Sequence, residues 1–278
     1  MAKYVSIDGN IQLSEKACIS YNNRGLIFGD SFNFEMRGNS SKAFFEDEYF
    51  DFFIQSLKFL KFKKSIFHRK TSILTDLELL LQKNRIYKGF KARIIVFRND
   101  TIDNSCSIII SVDAIESEYY PDLANGLTID VYEDYVVPEY NFEFDFTPRF
   151  SEELLLHQKL ETLDDFLLCD KNGNIIKSLN SSVFFVKNEN LILPTRYVKN
   201  ASKVFVDIVV KLANDLNIPV INWEIKERDL YSLDEVFLGD ITSGFNRVMA
   251  FKDKRYFYKT TGKFLEALNN KVKVNFKT

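Results

Sequence analysis

The sequence predicts a two-domain chain, an α+β domain followed by an α/β domain, from three observations. The 278 residues suffice for two ordinary hydrophobic cores. Hydrophobic spacing switches repeatedly between the two-residue period of strands and the helical period of about 3.6. Residues 114–126, AIESEYYPDLANG, are polar and carry Pro121 and Gly126, the composition of a linker. These features place an N-terminal domain at 1–115, a linker at 116–126 and a C-terminal domain at 127–278.

Taken in order, Tyr4, Val5 and Ile7 alternate into Asp8-Gly9-Asn10, followed by Ile11 and Leu13. Asp-Gly is a tight-turn signal, so this is a hairpin. Residues 42–45 (KAFF) read as a short strand. Tyr49, Phe50, Phe53, Leu57 and Leu60 share one helical face over 46–60, and 72–85 reads as a second helix. Strands at 92–97 and 107–112 flank the turn-rich 99–104. Beyond the linker, 127–132 alternates as a strand. Residues 133–148 are acidic and aromatic, with Glu143 and Asp145 alternating with Phe142, Phe144 and Phe146, and 150–160 is helical. A hairpin FLLCD-KNGN follows, with strands around 175–176, 183–186 and 191–193. Val206, Val209, Val210 and Leu212 mark an amphipathic helix at 203–216. Strands at 220–225 and 235–238 and a helix at 259–268 complete the chain.

Composition removes several classes of function. At 46% apolar and 27% charged residues the chain is not a disordered one. A net charge of −2 argues against nucleic acid or an anionic membrane as partner. The one dense basic run, Lys58, Lys61, Lys63, Lys64, Arg69 and Lys70, reads as a solvated helix end and loop. Three scattered cysteines and two histidines do not make a metal site and fit a reducing compartment. No signal core or membrane-length apolar run is present. A cytoplasmic protein is expected.

Five stretches, in order, carry a family likeness: YVSIDGNIQLSEKACIS, NNRGLIFGDSFNFEMR, FFEDEYFDFFIQSLKFL, LDDFLLCDKNGNIIKSLNSSVFFVKNENLILP and LDEVFLGDITSGFNRVMAF. The second keeps Arg24, Gly25, Gly29, Asp30 and Arg37 of a "DRGFxxGDGxFExxR" phrase, and the fifth follows "ADEVFLTGT". Together they resemble the class IV aminotransferases. These are the fold-type IV pyridoxal phosphate enzymes, including branched-chain and D-amino-acid aminotransferases and aminodeoxychorismate lyase. The resemblance implies a D-amino-acid-aminotransferase-like fold, with an N-terminal α+β domain and a C-terminal α/β-barrel-like domain. It also implies a coenzyme site between them and a homodimer in which the partner helps close that site.

Such chemistry needs a lysine to form the Schiff base, a carboxylate beside the pyridine nitrogen, a cation on the phosphate, and hydroxyls or backbone N–H groups around it. Counted back from Asp170, the family's lysine falls near Phe144, and no lysine occurs between Lys91 and Lys159. Lys159 is the nearest candidate, but it sits near the end of the helix at 150–160, roughly four turns late, and reads as an exposed helical lysine. The pyridine carboxylate matches Lys177, a charge reversal, and the nearby asparagine matches Ser182. The phosphate cation matches Phe52 and its companion histidine Tyr49. The "GITR"-like helix start matches KNASK, where Ser202 keeps a hydroxyl and Lys203 replaces the arginine. The late threonine matches Ile241, with Thr242 and Ser243 adjacent.

Three of the four needs are unmet, in separate parts of the chain. The expectation is a member of this family without pyridoxal phosphate chemistry and with no cofactor. Residues 142–146 read as an ordinary half-buried strand, with Phe144 filling the former cleft as the sharper reading; Lys177, Ser202 and Lys203 would bind a small anion or metabolite in the remnant cleft, or the protein would serve only as a partner or scaffold. The alternatives are an active aminotransferase or aminodeoxychorismate lyase using pyridoxal phosphate and a recruited lysine, or a different enzyme reusing the cleft.

Overall fold

The computed structural model describes residues 3–99, 104–122, 125–139, 150–160, 162–179, 181–195 and 201–274. These fall into two compact units, one ending at Tyr119 and the other beginning at Tyr120.

The first unit is built on a six-stranded antiparallel sheet. Its strands are β1 (Tyr4–Ile7), β2 (Asn10–Leu13), β3 (Ser31–Asn39), β4 (Lys42–Ala43), β5 (Gly89–Arg98) and β6 (Cys106–Ala114), ordered β2-β1-β6-β5-β3-β4. The hairpin turns through Asp8 (φ 51°) and Gly9 (φ 80°), the left-handed pair that Asp-Gly supplies. Phe34, Ile94 and Ile110 lie side by side across β3, β5 and β6 and are buried. Alternation puts Phe32, Met36, Ala92, Val96, Ile108 and Val112 on the same face. That face is covered by apolar stripes of helices α2 (Glu46–Phe59) and α3 (Lys70–Lys83), namely Tyr49, Phe53 and Leu57, and Ile73, Leu77 and Leu80. A short helix, α1 (Arg24–Phe28), precedes β3.

Two differences from the pattern-based expectation have local causes. Only Lys42 and Ala43 of KAFF pair as a strand, because Phe45 turns into the left-handed region (φ 52°) to start α2. The long β3 lies in a stretch that carried a family phrase, and its Phe32, Phe34, Met36 alternation was its strand signal.

The second unit is a nine-stranded mixed sheet. Its strands are β7 (Leu127–Val136), β8 (Asp165–Cys169), β9 (Ile175–Ser178), β10 (Ser182–Lys187), β11 (Asn190–Pro194), β12 (Val220–Trp223), β13 (Glu235–Asp240), β14 (Gly244–Phe251) and β15 (Lys254–Arg255). The order is β12-β11-β10-β13-β14-β7-β8-β9, with β15 on β14. The helices are α4 (Phe150–His157), α5 (Ala201–Asp215) and α6 (Thr260–Val274). The central strands are buried on both faces, which is why VFFV and EVFL read as continuous apolar runs. Val183, Phe185, Val236 and Leu238 join one cluster with Ile129, Leu167 and Val248. Phe184, Phe237 and Phe245 face the other way and pack against Phe205 of α5 and Phe264 of α6.

Here too the boundaries moved for identifiable reasons. The helix expected at 150–160 stops at His157, and Lys159 is exposed in the turn that follows. The strand expected at 220–225 ends at Trp223, because the Ile225 carbonyl accepts instead from the Ile175 N–H.

Candidate functional site

In the first unit the phrase around Gly29 and Asp30 is held by charge. The Asp30 carboxylate accepts from Arg24 Nε at 3.1 Å and Arg98 Nε at 2.8 Å, joining α1 to β5. Arg37 is fully buried and donates to the carbonyls of Ser117 and Tyr119 and to the Ser117 hydroxyl. These residues therefore secure the fold of the unit. Phe52 is buried, with its ring edge-on to Phe34 at 6.1 Å, and Tyr49 stacks on Phe34 at 5.9 Å. Both positions matched to phosphate-binding groups thus belong to the aromatic core under β3.

In the second unit, Lys177 lies on β9 opposite Leu168 of β8 and is half-buried. The acids nearest in this hairpin are occupied by turns. Asp165 is 4% exposed and accepts from the Leu179 N–H at 3.0 Å and the Ser178 hydroxyl at 3.1 Å. Asp170 accepts from the N–H groups of Asn172 and Asn174, both at 2.9 Å, shaping the KNGN turn.

The turn after β13 gathers more donors than any sequence pattern indicated. One oxygen of Asp240 accepts from the Thr242 N–H (2.7 Å), the Thr242 hydroxyl (2.6 Å) and the Ser243 N–H (2.9 Å). The other accepts from the Ser243 hydroxyl and from Ser181 Oγ at 3.2 Å. Thr242 and Ser243 thus each direct a backbone N–H and a hydroxyl at this one carboxylate. Asp240 was not singled out from the sequence. Its signal was an acid in GDITS, standing where the family phrase has glycine.

Ile241 is buried and its carbonyl accepts from the Tyr120 hydroxyl at 2.9 Å. Gly244 (φ 78°) continues the turn, and a Cβ there would stand 2.6 Å from the Tyr120 ring. Ser202 and Lys203 begin α5, where Lys203 pairs with Asp207 one turn on. A Cβ on Gly239 would stand 2.7 Å from the Phe205 ring, so α5 packs against β13 through Phe205. Phe144, with Phe142, Glu143, Asp145 and Phe146, lies outside the described residues.

A pocket of about 290 Å³ opens at the opposite end of β13, lined by Glu235, Lys254, Phe257 and Lys259 among others. Its exposed charges are partly paired, as in Lys259 with Glu189 at 3.6 Å. Among the described residues, no cluster of three or more His, Cys, Asp or Glu could hold a metal ion. No helix among them is long and apolar enough to cross a membrane.

Comparison with known proteins gives a consistent result. Residues 34–250 match the family described as amino-transferase class IV. A putative branched-chain-amino-acid aminotransferase of Methanocaldococcus jannaschii is 27% identical over 111 residues, 40% of this chain and 38% of that protein. A probable one of Thermotoga maritima is 26% identical over 144 residues, 51% of this chain and 52% of that protein. These alignments span about half or less of either relative's length. The branched-chain aminotransferase of the archaeon Thermoproteus uzoniensis, solved with norvaline, superposes with a TM-score of 0.82. It is 14% identical, with 99% of this chain and 96% of that one covered, which establishes the shared fold.

Proposed function

The chain belongs to the amino-transferase class IV family, and from that premise we propose that it is a member without pyridoxal phosphate chemistry. The observation that carries the reading is Lys177. A protonated pyridine nitrogen needs a carboxylate partner, and an ammonium at that position repels it. The neighbouring acids Asp165 and Asp170 are held by backbone N–H groups and are not available to substitute. Phe52 in an aromatic core and a carboxylate in the Thr242–Ser243 turn support the same conclusion. The residues present do not fit the coenzyme.

Within this reading the cation at Lys177 makes a small anion the ligand of matching charge, with Ser202 and Lys203 at the start of α5 as further polar groups. A homodimer belongs to the same proposal. Its support is α1, whose Leu26, Ile27 and Phe28 are 68%, 52% and 70% exposed. A reducing, cytoplasmic location is supported by free thiols at Cys18, Cys106 and Cys169.

The test is direct. Purified protein mixed with pyridoxal phosphate should develop no visible absorbance from lysine-bound coenzyme. Absorbance that vanishes in Lys159→Ala would establish the recruited-lysine enzyme instead.

A further inference from the structure

We propose that Asp240 is a built-in anion that closes a preformed phosphate receptor. The idea rests on the functional reading above, and it assigns one residue as the plug. The turn matched to the family's late threonine offers the N–H groups of Thr242 and Ser243 and the hydroxyls of Thr242, Ser243 and Ser181. That is the donor set an oxyanion requires, convergent and drawn from both backbone and hydroxyl groups. All five hydrogen bonds end on Asp240. A phosphate seeking those donors meets both an occupied receptor and a like charge.

The turn has braces besides its plug. The Tyr120 hydroxyl holds the Ile241 carbonyl, the Tyr120 ring packs under Gly244, and Asn246 Nδ2 donates to Ser243 Oγ at 3.1 Å. Tyr120 is itself fixed by Asn269, which accepts from its N–H at 3.0 Å and donates to its carbonyl at 2.9 Å. Removing the Asp240 side chain therefore leaves the turn braced from below.

The experiment compares the native chain with Asp240→Gly and Asp240→Asn, titrated calorimetrically with inorganic phosphate. The native chain should show no binding at millimolar phosphate. Asp240→Gly should bind at least roughly tenfold more tightly, the equivalent of one charge-assisted hydrogen bond. Asp240→Asn, neutral but still filling the turn, should fall between them. It also carries the test should Asp240→Gly not fold, because phosphate should then raise its melting temperature and not that of the native chain. Adding Thr242→Val to either variant should abolish the gain, which locates the anion in the turn. Folded variants that bind phosphate no better than the native chain overturn the proposal, as does native binding equal to that of Asp240→Gly. Lysine-bound coenzyme in the native chain would defeat the functional reading whatever phosphate does. Equal phosphate binding by all three proteins would defeat the plug alone.

Discussion

At one end of β13 the Glu235 carboxylate accepts from the Thr260 N–H at 2.6 Å, and from the Thr261 N–H and hydroxyl, both at 2.9 Å. At the other end Asp240 accepts from two backbone N–H groups and three hydroxyls. The chemistry is the same, a carboxylate satisfying backbone donors that would otherwise lack a partner. The origins differ. Glu235 falls in LDEVFL, which follows the family phrase, and it closes the start of α6. Asp240 falls where that phrase has glycine, and it closes the turn into β14. The comparison teaches that along one strand a carboxylate can close the head of a helix at one end and a strand-to-strand turn at the other.

The strongest way to break that contrast is Glu235→Ala. Glu235 is 4% exposed, so its loss strands buried N–H groups at the head of α6. Urea denaturation should register about 3 kcal/mol of lost stability. A loss under about 1 kcal/mol would mean that this end of the strand is not structural. Asp240→Asn should cost less, about 1–2 kcal/mol, because the turn is braced by Tyr120 and one oxygen acceptor remains. Equal costs at the two ends would erase the distinction. Tyr120→Phe removes one hydrogen bond to the Ile241 carbonyl and should cost about 1 kcal/mol. Combined with Asp240→Asn it should cost more than the sum, since each then loses its support.

The smallest effect sharpens the comparison by pH. In the first unit His68 is buried, its Nδ1 accepts from the Ser65 N–H at 3.0 Å, and its Nε2 stands 3.4 Å from Cys106 Sγ. Burial pushes the imidazole below its usual 6.5, against a weaker opposing pull from Asp8. The unfolded chain then binds a proton that the folded chain resists. This stability is present above pH 6.5 and declines as pH falls below it. His68→Gln should flatten that limb of the stability profile. An identical slope in His68→Gln would remove the histidine from the account.

Much of the fold was legible because strands and helices of this chain keep their periods. Ile94 and Ile110 lie in the strands expected at 92–97 and 107–112, and Asp8-Gly9 turns as its residue types require. The ends were harder to read, since Ile225 and Phe45 left their expected strands under tertiary and backbone constraints that local pattern does not encode. Lys177, Phe52 and Ile241 were found by comparing phrases, which reveals substituted residue types. Asp240 was not, because its role lies in converging donors from Ser181, more than fifty residues earlier in the chain, and from the two residues that follow Ile241. Spacing in a sequence shows a turn and is silent about which side chain fills it.

The most direct test of the central claim is chemical trapping. The native chain, incubated with pyridoxal phosphate, reduced with borohydride and weighed intact, should keep its unmodified mass. One phosphopyridoxyl group per chain, mapped by peptide analysis to a single lysine, would contradict it.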